Sequence, residues 1–283
     1  IVVGAGVQML LEILCVLLKG RRTVSFPDGS FVQGSTVFAA HGYTVRTRYK
    51  DADIIYVSPS HMNRQGDVMP IQRRLELCAH SADTGAVVIE DDFENDFLYS
   101  STPAPSLYAL GSGNVVYMGA FSALLLPGIR ISFMVLSPAL AAAYHQMKDT
   151  FAQTASKTEQ IALCAYLRDG NMKSRTKKIR RLYTGKAKTL CALLAKALPD
   201  HPVRVGENGL QVQIETPMLP DSAPFEQAGL ALYIVKEKSG KNTVVVSPSA
   251  VPADRLEEAA LAVAAALYKA EEAAKAKRSK DVY

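Results

Sequence analysis

Cysteine is scarce in this sequence, and the spacing of the cysteines argues against two kinds of site. The chain has 283 residues and four cysteines. They stand far apart, with no CxxC pair and no histidine at ligand spacing, at Cys15, Cys78, Cys164 and Cys191. This pattern is typical of free thiols in a reducing compartment rather than of a disulfide framework. We therefore expect no metal site and a cytoplasmic location.

Long apolar runs are also missing. The most apolar stretch, MLLEILCVLL, is interrupted by Glu12 and is too short to span a bilayer. A charged leader region and a cleavage site are both lacking, so no signal peptide is expected. We expect no membrane partner. The chain begins at Ile1 rather than at a methionine, which indicates a piece of a longer protein.

The composition is that of a globular protein with a mild basic excess. Hydrophobic residues make up 48%, charged residues 21%, and the formal net charge is +5. A chain of this length can bury a sizeable core. Part of the charge is concentrated in KSRTKKIRRLYTGKAK, residues 173–188, which holds eight basic residues and no acid. A solvated helix face is the favoured interpretation, and a surface that steers polyanions is the alternative.

Apolar, β-branched runs alternate with helical spacings through the first half of the chain. This order predicts a mostly parallel sheet with helices on both faces, an α/β domain over residues 1–165. Residues 166–283 are expected to form a linking helix and a smaller α+β domain. The final helix, residues 254–268, continues into a charged tail that we expect to be frayed. The predicted strands of the first domain are IVVGAG, TVSFPD, ADIIYVSPS, GAVVIEDD, NVVYMGAFS and ISFMVLS.

Three stretches stand where a predicted strand ends, which is where ligands bind in such sheets. GAGVQ, residues 4–8, joins a strand to a helix, and its backbone N–H groups could hold a phosphate; a tight turn alone would also need the glycines. In VVIEDDFENDF, one of three adjacent acids is expected to face the ligand crevice and another to cap a turn. In IIYVSPSHMNRQG, His61 is either a base or ring partner, or an ordinary surface histidine.

Together these stretches resemble a known family. The chain is similar to the aminotransferase-like domain of fold-type I pyridoxal-phosphate proteins, in particular to the effector domain of the MocR subgroup of GntR-type transcription regulators. That resemblance implies a three-layer α/β/α large domain and pyridoxal 5'-phosphate as cofactor. The stretches that carry it, in the family's order, are GAGVQ, YVSPSH followed by MPIQRR, VVIEDDFENDF, VVYMGAFSALLLPGIRISFMVLSPAL, IRRLY and ENGLQV.

The resemblance also implies roles for individual residues. Gly6, Val7 and Gln8 would cradle the cofactor phosphate with Arg130, and Ser122 would lie at the same site. Phe31 would stack on the pyridine ring, and Asp91 would pair with the pyridine nitrogen through a charge-assisted bond. His61 and Asn63 would lie beside the ring and its O3' atom.

The sequence departs from the family pattern at the position that matters most. Ala123 stands where the family has the lysine that forms the Schiff base, and alanine cannot supply that amine or shuttle a proton. Phe93 replaces a tyrosine that bonds O3', Ala120 a hydroxyl residue that bonds the phosphate, and Met62 a glutamine. We expect any cofactor to be bound noncovalently and transamination to be absent. Whether Ala123 is a natural loss or an engineered replacement stays open.

The sequence nevertheless keeps Asp91 and Arg130 of the family pattern. Burying either charge would cost free energy unless it is paired with a ligand or with the other residue. The function implied by the resemblance is therefore a pyridoxal-phosphate-binding effector domain, as a homodimer, with the cofactor or a small amino compound as effector. DNA would be bound through a winged-helix domain that this chain lacks. Two alternatives stay open: an aminotransferase in a lysine-to-alanine form, and a degenerate dimerisation scaffold.

Overall fold

The computed structural model describes residues 1–29, 31–92, 105–111, 113–122, 124–126, 128–236 and 242–280. Contacts divide these residues into two compact units. The first comprises residues 1–63, 68–92 and the described part of 105–177, and the second comprises residues 64–67 and the described part of 178–280. The domain boundary that the sequence places at residue 165 stays a prediction.

A seven-stranded sheet forms the centre of the first unit. Its strands, in chain order, are β1 (Val2–Gly4), β2 (Thr23–Phe26), β3 (Thr44–Thr47), β4 (Ile54–Val57), β5 (Val87–Asp91), β6 (Val115–Ala120) and β7 (Ser132–Val135). Their spatial order is β1-β7-β6-β5-β4-β2-β3. Strand β7 pairs antiparallel with both β1 and β6, while the other neighbouring pairs are parallel. One reversed strand therefore interrupts an otherwise parallel sheet.

Helices cover both faces of this sheet. On one face, Val87, Ile89 and Met118 share a buried cluster with the helix that follows β1. On the other face, Val88 and Val115 pack with two helices that include Cys78 and Leu107. Alternate residues of β5 therefore face opposite layers, as the period-2 pleat requires. The helices of this unit are α1 (Val7–Leu17), α2 (Val32–Ala40), α3 (Ile71–Thr84), α4 (Leu107–Leu110), α5 (Pro138–Met147) and α6 (Lys157–Arg168).

The first helix shows why the sequence folds this way. Leu10, Leu11 and Leu14 of α1 recur at helical spacing and are fully buried. Burying such a side chain stabilises the fold by about 1.5–3 kcal/mol. The helix begins after Gly6, whose φ of 91° and ψ of 162° lie in a region that is essentially restricted to glycine. The apolar stripe thus anchors the helix, and the glycine sets the turn that precedes it.

The second unit is an α+β arrangement. The long helix α7 (Asn171–Ala197) contributes its C-terminal part, followed by β8 (Val203–Val205), β9 (Val212–Thr216), α8 (Ala223–Gln227), β10 (Tyr233–Lys236), β11 (Asn242–Val246) and α9 (Leu256–Lys280). The four strands pair antiparallel in the order β10-β11-β9-β8. Leu190 and Leu194 of α7 pack with Val212, Val244 and α9 in one core. The predicted fold class, a three-layer α/β unit with a smaller α+β unit, is confirmed.

The expectation of a frayed C-terminal tail is wrong for residues 269–280, and residues 281–283 lie outside the described residues. Helix α9 continues to Lys280, well past the predicted end at residue 268. Ala270 is fully buried, and buried Glu271 lies 3.0 Å from the ring nitrogen Nε2 of His201. Tertiary packing thus extends the helix into a stretch whose charge suggested otherwise. Among the described helices, none is both long enough and apolar enough to cross a membrane.

Candidate functional site

A cavity of about 490 Å³ opens at one edge of the seven-stranded sheet. Its lining comes from the segments that follow the carboxyl ends of β1, β2, β4, β5 and β6. Because β7 runs in the opposite direction, the start of β7 lies at the same edge and contributes Ser132 together with the preceding Arg130. Chain segments that are far apart in sequence therefore meet here, at the position expected for ligands in α/β sheets.

The residues singled out in the sequence mostly line this cavity. They are Gly6, Val7, Gln8, Phe31, His61, Asn63, Asp91, Ser122 and Arg130, together with Ala120 and Met62. Phe93 and Ala123 lie outside the described residues. The lining shows that these side chains share one cavity, while their individual roles stay predictions.

The glycine turn and Arg130 form one corner of the cavity. A Cβ atom added to Gly6 would lie 2.4 Å from Nη2 of Arg130, so only glycine lets the guanidinium approach the backbone this closely. The turn is held from the other side by a 2.9 Å bond from the Ala5 N–H to Thr154 Oγ1. No side chain caps the start of α1. Backbone N–H groups at a helix N-terminus and an adjacent guanidinium together favour an anionic group.

Arg130 differs from the sequence expectation in one respect. Its side chain is exposed rather than buried, so it carries little desolvation cost without a ligand. Within the described part of the chain, the guanidinium makes no hydrogen bond or ion pair, and a mutual salt bridge with Asp91 is not formed. A cation beside the glycine turn is thus available to an incoming anion.

The three adjacent acids at the end of β5 point in alternate directions. Glu90 accepts backbone N–H bonds from Leu107 at 2.9 Å and Tyr108 at 3.0 Å, at the start of α4. Burial raises the pKa of the Glu90 carboxyl, although these bonds act in the opposite direction. Asp92 accepts bonds from Ser60 Oγ at 2.9 Å and from the Tyr117 hydroxyl at 2.5 Å. Glu90 therefore caps a turn, as the sequence predicted for one of the three acids.

Asp91 is the acid that faces the cavity, and its carboxylate is held by a residue that the sequence analysis missed. The hydroxyl of Tyr56 donates a hydrogen bond to Asp91 Oδ2. Asp91 is 8% exposed and Tyr56 is 2% exposed. Burial and the neighbouring Asp91 carboxylate raise the pKa of Tyr56 well above its ordinary value. Tyr56 lies on β4, two residues before Ser58, which follows the strand and also lines the cavity. The alternation of side chains along a strand therefore indicates the side of the sheet on which Tyr56 lies, but not its bond to Asp91.

An aromatic wall closes one side of the cavity. The ring of Tyr56 lies 5.0 Å from that of Phe26 and 5.3 Å from that of Phe31, measured between centroids, with interplanar angles of 29° and 32°. Gly34 of α2 makes room for Phe31, because a Cβ atom there would lie 2.2 Å from Cε1 of that ring. The wall presents flat apolar surface to anything bound in the cavity.

These features define the chemistry that the cavity can support. It offers an anion-binding corner, a buried carboxylate and an aromatic wall, a combination that suits a flat heterocycle with an anionic substituent. Its described lining contains no lysine. The described residues also contain no group of three or more His, Cys, Asp or Glu that could hold a metal ion.

Known proteins share this architecture. Among solved structures, the chain is similar to LysN, the α-aminoadipate aminotransferase of Thermus thermophilus complexed with N-(5'-phosphopyridoxyl)-L-leucine. The TM-score is 0.76 with 23% sequence identity, covering 95% of this chain and 77% of that one. This likeness confirms the fold of the pyridoxal-phosphate-dependent aminotransferases.

Curated relatives include transcription regulators. The chain is 29% identical over 263 residues to the HTH-type transcriptional regulator YdeL of Bacillus subtilis, covering 88% of this chain and 55% of the relative. It is 30% identical over 162 residues to the probable rhizopine catabolism regulatory protein MocR of Rhizobium meliloti, covering 57% of this chain and 33% of the relative. The chain thus spans about half the length of YdeL and a third of MocR.

The family itself is shown by a sequence profile. The profile of aminotransferase class I and II matches residues 48–238, about two thirds of the chain. The match begins directly after β3, runs past the end of β10, and includes Asp91 at the end of β5 and Arg130 just before β7. Pyridoxal phosphate is the cofactor that this family implies. The chain belongs to the aminotransferase class I and II family.

Proposed function

We propose that the chain is the pyridoxal-phosphate-binding, ligand-sensing effector module of a MocR-type transcription regulator. The observation that carries the proposal is the single cavity shared by the glycine turn, Arg130, Asp91 and the aromatic wall. The similarity to HTH-type regulators supports a regulatory rather than a metabolic role. The cofactor or a small amino compound would be the effector.

The residues of the cavity fit the cofactor. The N–H groups of Val7 and Gln8 and the guanidinium of Arg130 would hold the phosphate, and Asp91 would hold the pyridine nitrogen in its protonated form. Phe31 would lie against the ring. The bond that Asp91 accepts from Tyr56 orients the carboxylate before any ligand arrives. When bound, pyridoxal phosphate supplies an electron sink for reactions at the α-carbon of amino compounds.

Ala123 decides what the bound cofactor does. The family's lysine at this position anchors the cofactor covalently and moves the proton, and a methyl group can do neither. The proposed binding is therefore noncovalent, and no transamination occurs. Binding would instead shift the relative populations of domain or protomer arrangements in a homodimer. DNA contact would come from an HTH-type domain of the longer regulator, with the basic stretch 173–188 as a minor contributor.

Calorimetric titration with pyridoxal phosphate tests the proposal, with Arg130→Gln as the principal variant. A hydrogen bond to a charged group contributes about 1.5–3 kcal/mol, so this change is expected to weaken binding about 12- to 150-fold. Arg168→Gln, an exposed arginine in the last turn of α6, is the matched control and is expected to bind like the original chain. No measurable binding to the original chain would instead support a degenerate dimerisation scaffold.

A second candidate is an aminotransferase in a lysine-to-alanine form, which is favoured by the family to which the chain belongs. The variant Ala123→Lys separates the two. An enzyme would gain covalent attachment of the cofactor, visible as a shift of its absorbance that resists dialysis, and turnover of some amino donor. A sensor would gain at most the attachment, with no turnover across a panel of amino donors.

A further inference from the structure

A second cavity, of about 600 Å³, lies beside the first. The two share the lining residues Phe26, Pro27, Tyr56, Met62 and Asn63. The rest of the second lining comes from the segment 48–50 after β3, from β4 and from α3. Its volume falls within the range of small-molecule sites, about 300–1,000 Å³. Apart from these shared residues, no residue that lines the second cavity has a role in the first.

The floor of the second cavity is apolar. Ile55 and Val57 of β4, Met69, and Leu77 of α3 contribute to it alongside the aromatic residues shared with the first cavity. Val57 and Met69 are buried. A floor of this kind removes the apolar body of a ligand from water.

The rim of the same cavity is basic. It carries Arg48, Lys50, Arg73 and His80 against a single acid, Glu76. Glu76 forms an ion pair with Arg73, in which its Oε2 lies 3.1 Å from Nη1. Within the described ranges, neither Arg48 nor Lys50 has a carboxylate at ion-pair distance. Nε of Arg48 donates to the Pro27 carbonyl at 3.0 Å, which is an uncharged acceptor. Among the described residues, both cations of this rim are therefore without a counter-ion.

Hydrogen bonds fix this rim in place. The Arg48 N–H donates to the Phe26 carbonyl at 2.9 Å, and the Tyr49 N–H donates to Ser25 Oγ at 2.9 Å. Nε2 of His80 lies 2.9 Å from the Lys50 carbonyl oxygen, which ties the segment to α3. Arg48 also holds a left-handed backbone with φ of 51°. The rim segment is therefore preorganised rather than free to follow a ligand.

We propose that the second cavity binds an organic anion with an apolar body and one carboxylate, in which the apolar body lies on the β4 floor and the carboxylate meets Arg48 and Lys50. The proposed selectivity for an anion comes from the two cations, because an apolar floor alone would bind neutral ligands equally well. Tyr56 belongs to both linings and bonds Asp91, so a ligand in the second cavity would contact the residue that orients the carboxylate of the first. The proposed binding itself does not depend on the cofactor.

Calorimetry with phenylacetate and indole-3-acetate, each beside its neutral amide, tests this inference on the full chain. Both carboxylates are expected to bind at least tenfold more tightly than their amides. The double variant Arg48→Gln/Lys50→Gln is expected to remove most of that preference. Lys157→Gln, a basic residue at the start of α6, is the matched control and is expected to leave it unchanged. Thermal melting of each variant establishes that it is folded.

Three results would overturn the inference. The first is that neither carboxylate binds at 10 mM, and the second is that acid and amide bind with about equal affinity. Either result would show that Arg48 and Lys50 do not form a carboxylate-binding site. Loss of binding in Arg130→Gln but not in the double variant would place the anion in the first cavity. Failure here can be distinguished from failure of the pyridoxal-phosphate titration, because the two experiments use different ligands and different arginine variants.

Discussion

Replacing Gly34 with alanine places a methyl group where the ring of Phe31 now lies. The added Cβ atom would be 2.2 Å from Cε1 and 2.4 Å from Cδ1 of Phe31, so the ring has to turn away. Phe31 then loses its present contact with Tyr56, in which the ring centroids are 5.3 Å apart. Such an aromatic contact contributes about 0.5–1.5 kcal/mol. A flat ligand ring that stacks on Phe31 would lose a contact free energy of the same size.

Stability and ligand binding are expected to respond differently. Alanine is favoured over glycine inside a helix by about 0.8–1 kcal/mol, which offsets the lost aromatic contact in the free energy of unfolding. The affinity for pyridoxal phosphate has no such compensation, and it should fall about 2- to 12-fold. Urea unfolding measures the first quantity, and calorimetric titration measures the second.

Gly185 is the matched control for this experiment. It lies in α7, and a Cβ atom added there meets nothing within 4 Å. Gly185→Ala should therefore raise the free energy of unfolding by about 1 kcal/mol and leave the affinity unchanged. If Gly34→Ala binds pyridoxal phosphate as tightly as Gly185→Ala does, Phe31 does not contact the ring and the reasoning is refuted.

Three further substitutions test other parts of the structure. Gly6→Ala should cost about 1–3 kcal/mol of stability, because of its glycine-restricted backbone, and should weaken pyridoxal-phosphate binding at least tenfold by displacing Arg130. Tyr43→Phe removes a bond to the Cys15 carbonyl, about 0.5–1.5 kcal/mol. Burial raises the pKa of Tyr43 to about 12, so its contribution is full below pH 10 and is lost as the pH rises toward 12. Asp53→Asn should cost about 1–3 kcal/mol at pH 7. Bonds from the Arg22 and Thr23 N–H groups, at 2.8 and 2.9 Å, lower the Asp53 pKa below 3.8, so its contribution is lost as the pH falls through that lowered value.

A control variant or a pH series can contradict each of these three predictions. Gly85→Ala, which also has a positive φ but no atom within 4 Å of the new Cβ, should lose stability without losing affinity. If Gly6→Ala and Gly85→Ala bind pyridoxal phosphate with equal affinity, Arg130 does not contribute to the phosphate site. For Tyr43→Phe, stability should decline less steeply between pH 10 and 12 than in the original chain, and an unchanged slope would contradict the burial argument. For Asp53→Asn, the cost should shrink below about pH 4, and a constant cost would exclude an ionic origin.

Local patterns in the sequence were enough to predict the central strands, because β-branched runs such as VVIEDD are buried on both faces and bounded by turn residues. Strand β3 was missed, since its four residues, TVRT, lie at the sheet edge and are largely exposed, which leaves no apolar pattern. The end of α9 was misjudged for the opposite reason. Its charged sequence suggested fraying, while the burial of Ala270 and Glu271 depends on contacts far away in the chain.

In the candidate site too, local features could be predicted from the sequence, whereas contacts between distant residues could not. The glycine turn and the strand-end acid are visible in sequence, because each needs a particular residue type at a particular place in the chain. The bond from Tyr56 to Asp91 joins two strands 35 residues apart, and no short-range pattern reports it. The same holds for the contact between Gly6 and Arg130, which requires the reversed direction of β7.

The most direct test of the central claim is a crystal structure of the chain with pyridoxal 5'-phosphate. We predict density for the phosphate against residues 6–8 and Arg130, with the ring beside Phe31 and its nitrogen directed at Asp91. Density for the cofactor at any other surface, or an empty first cavity at a cofactor concentration that saturates the calorimetric signal, would contradict it.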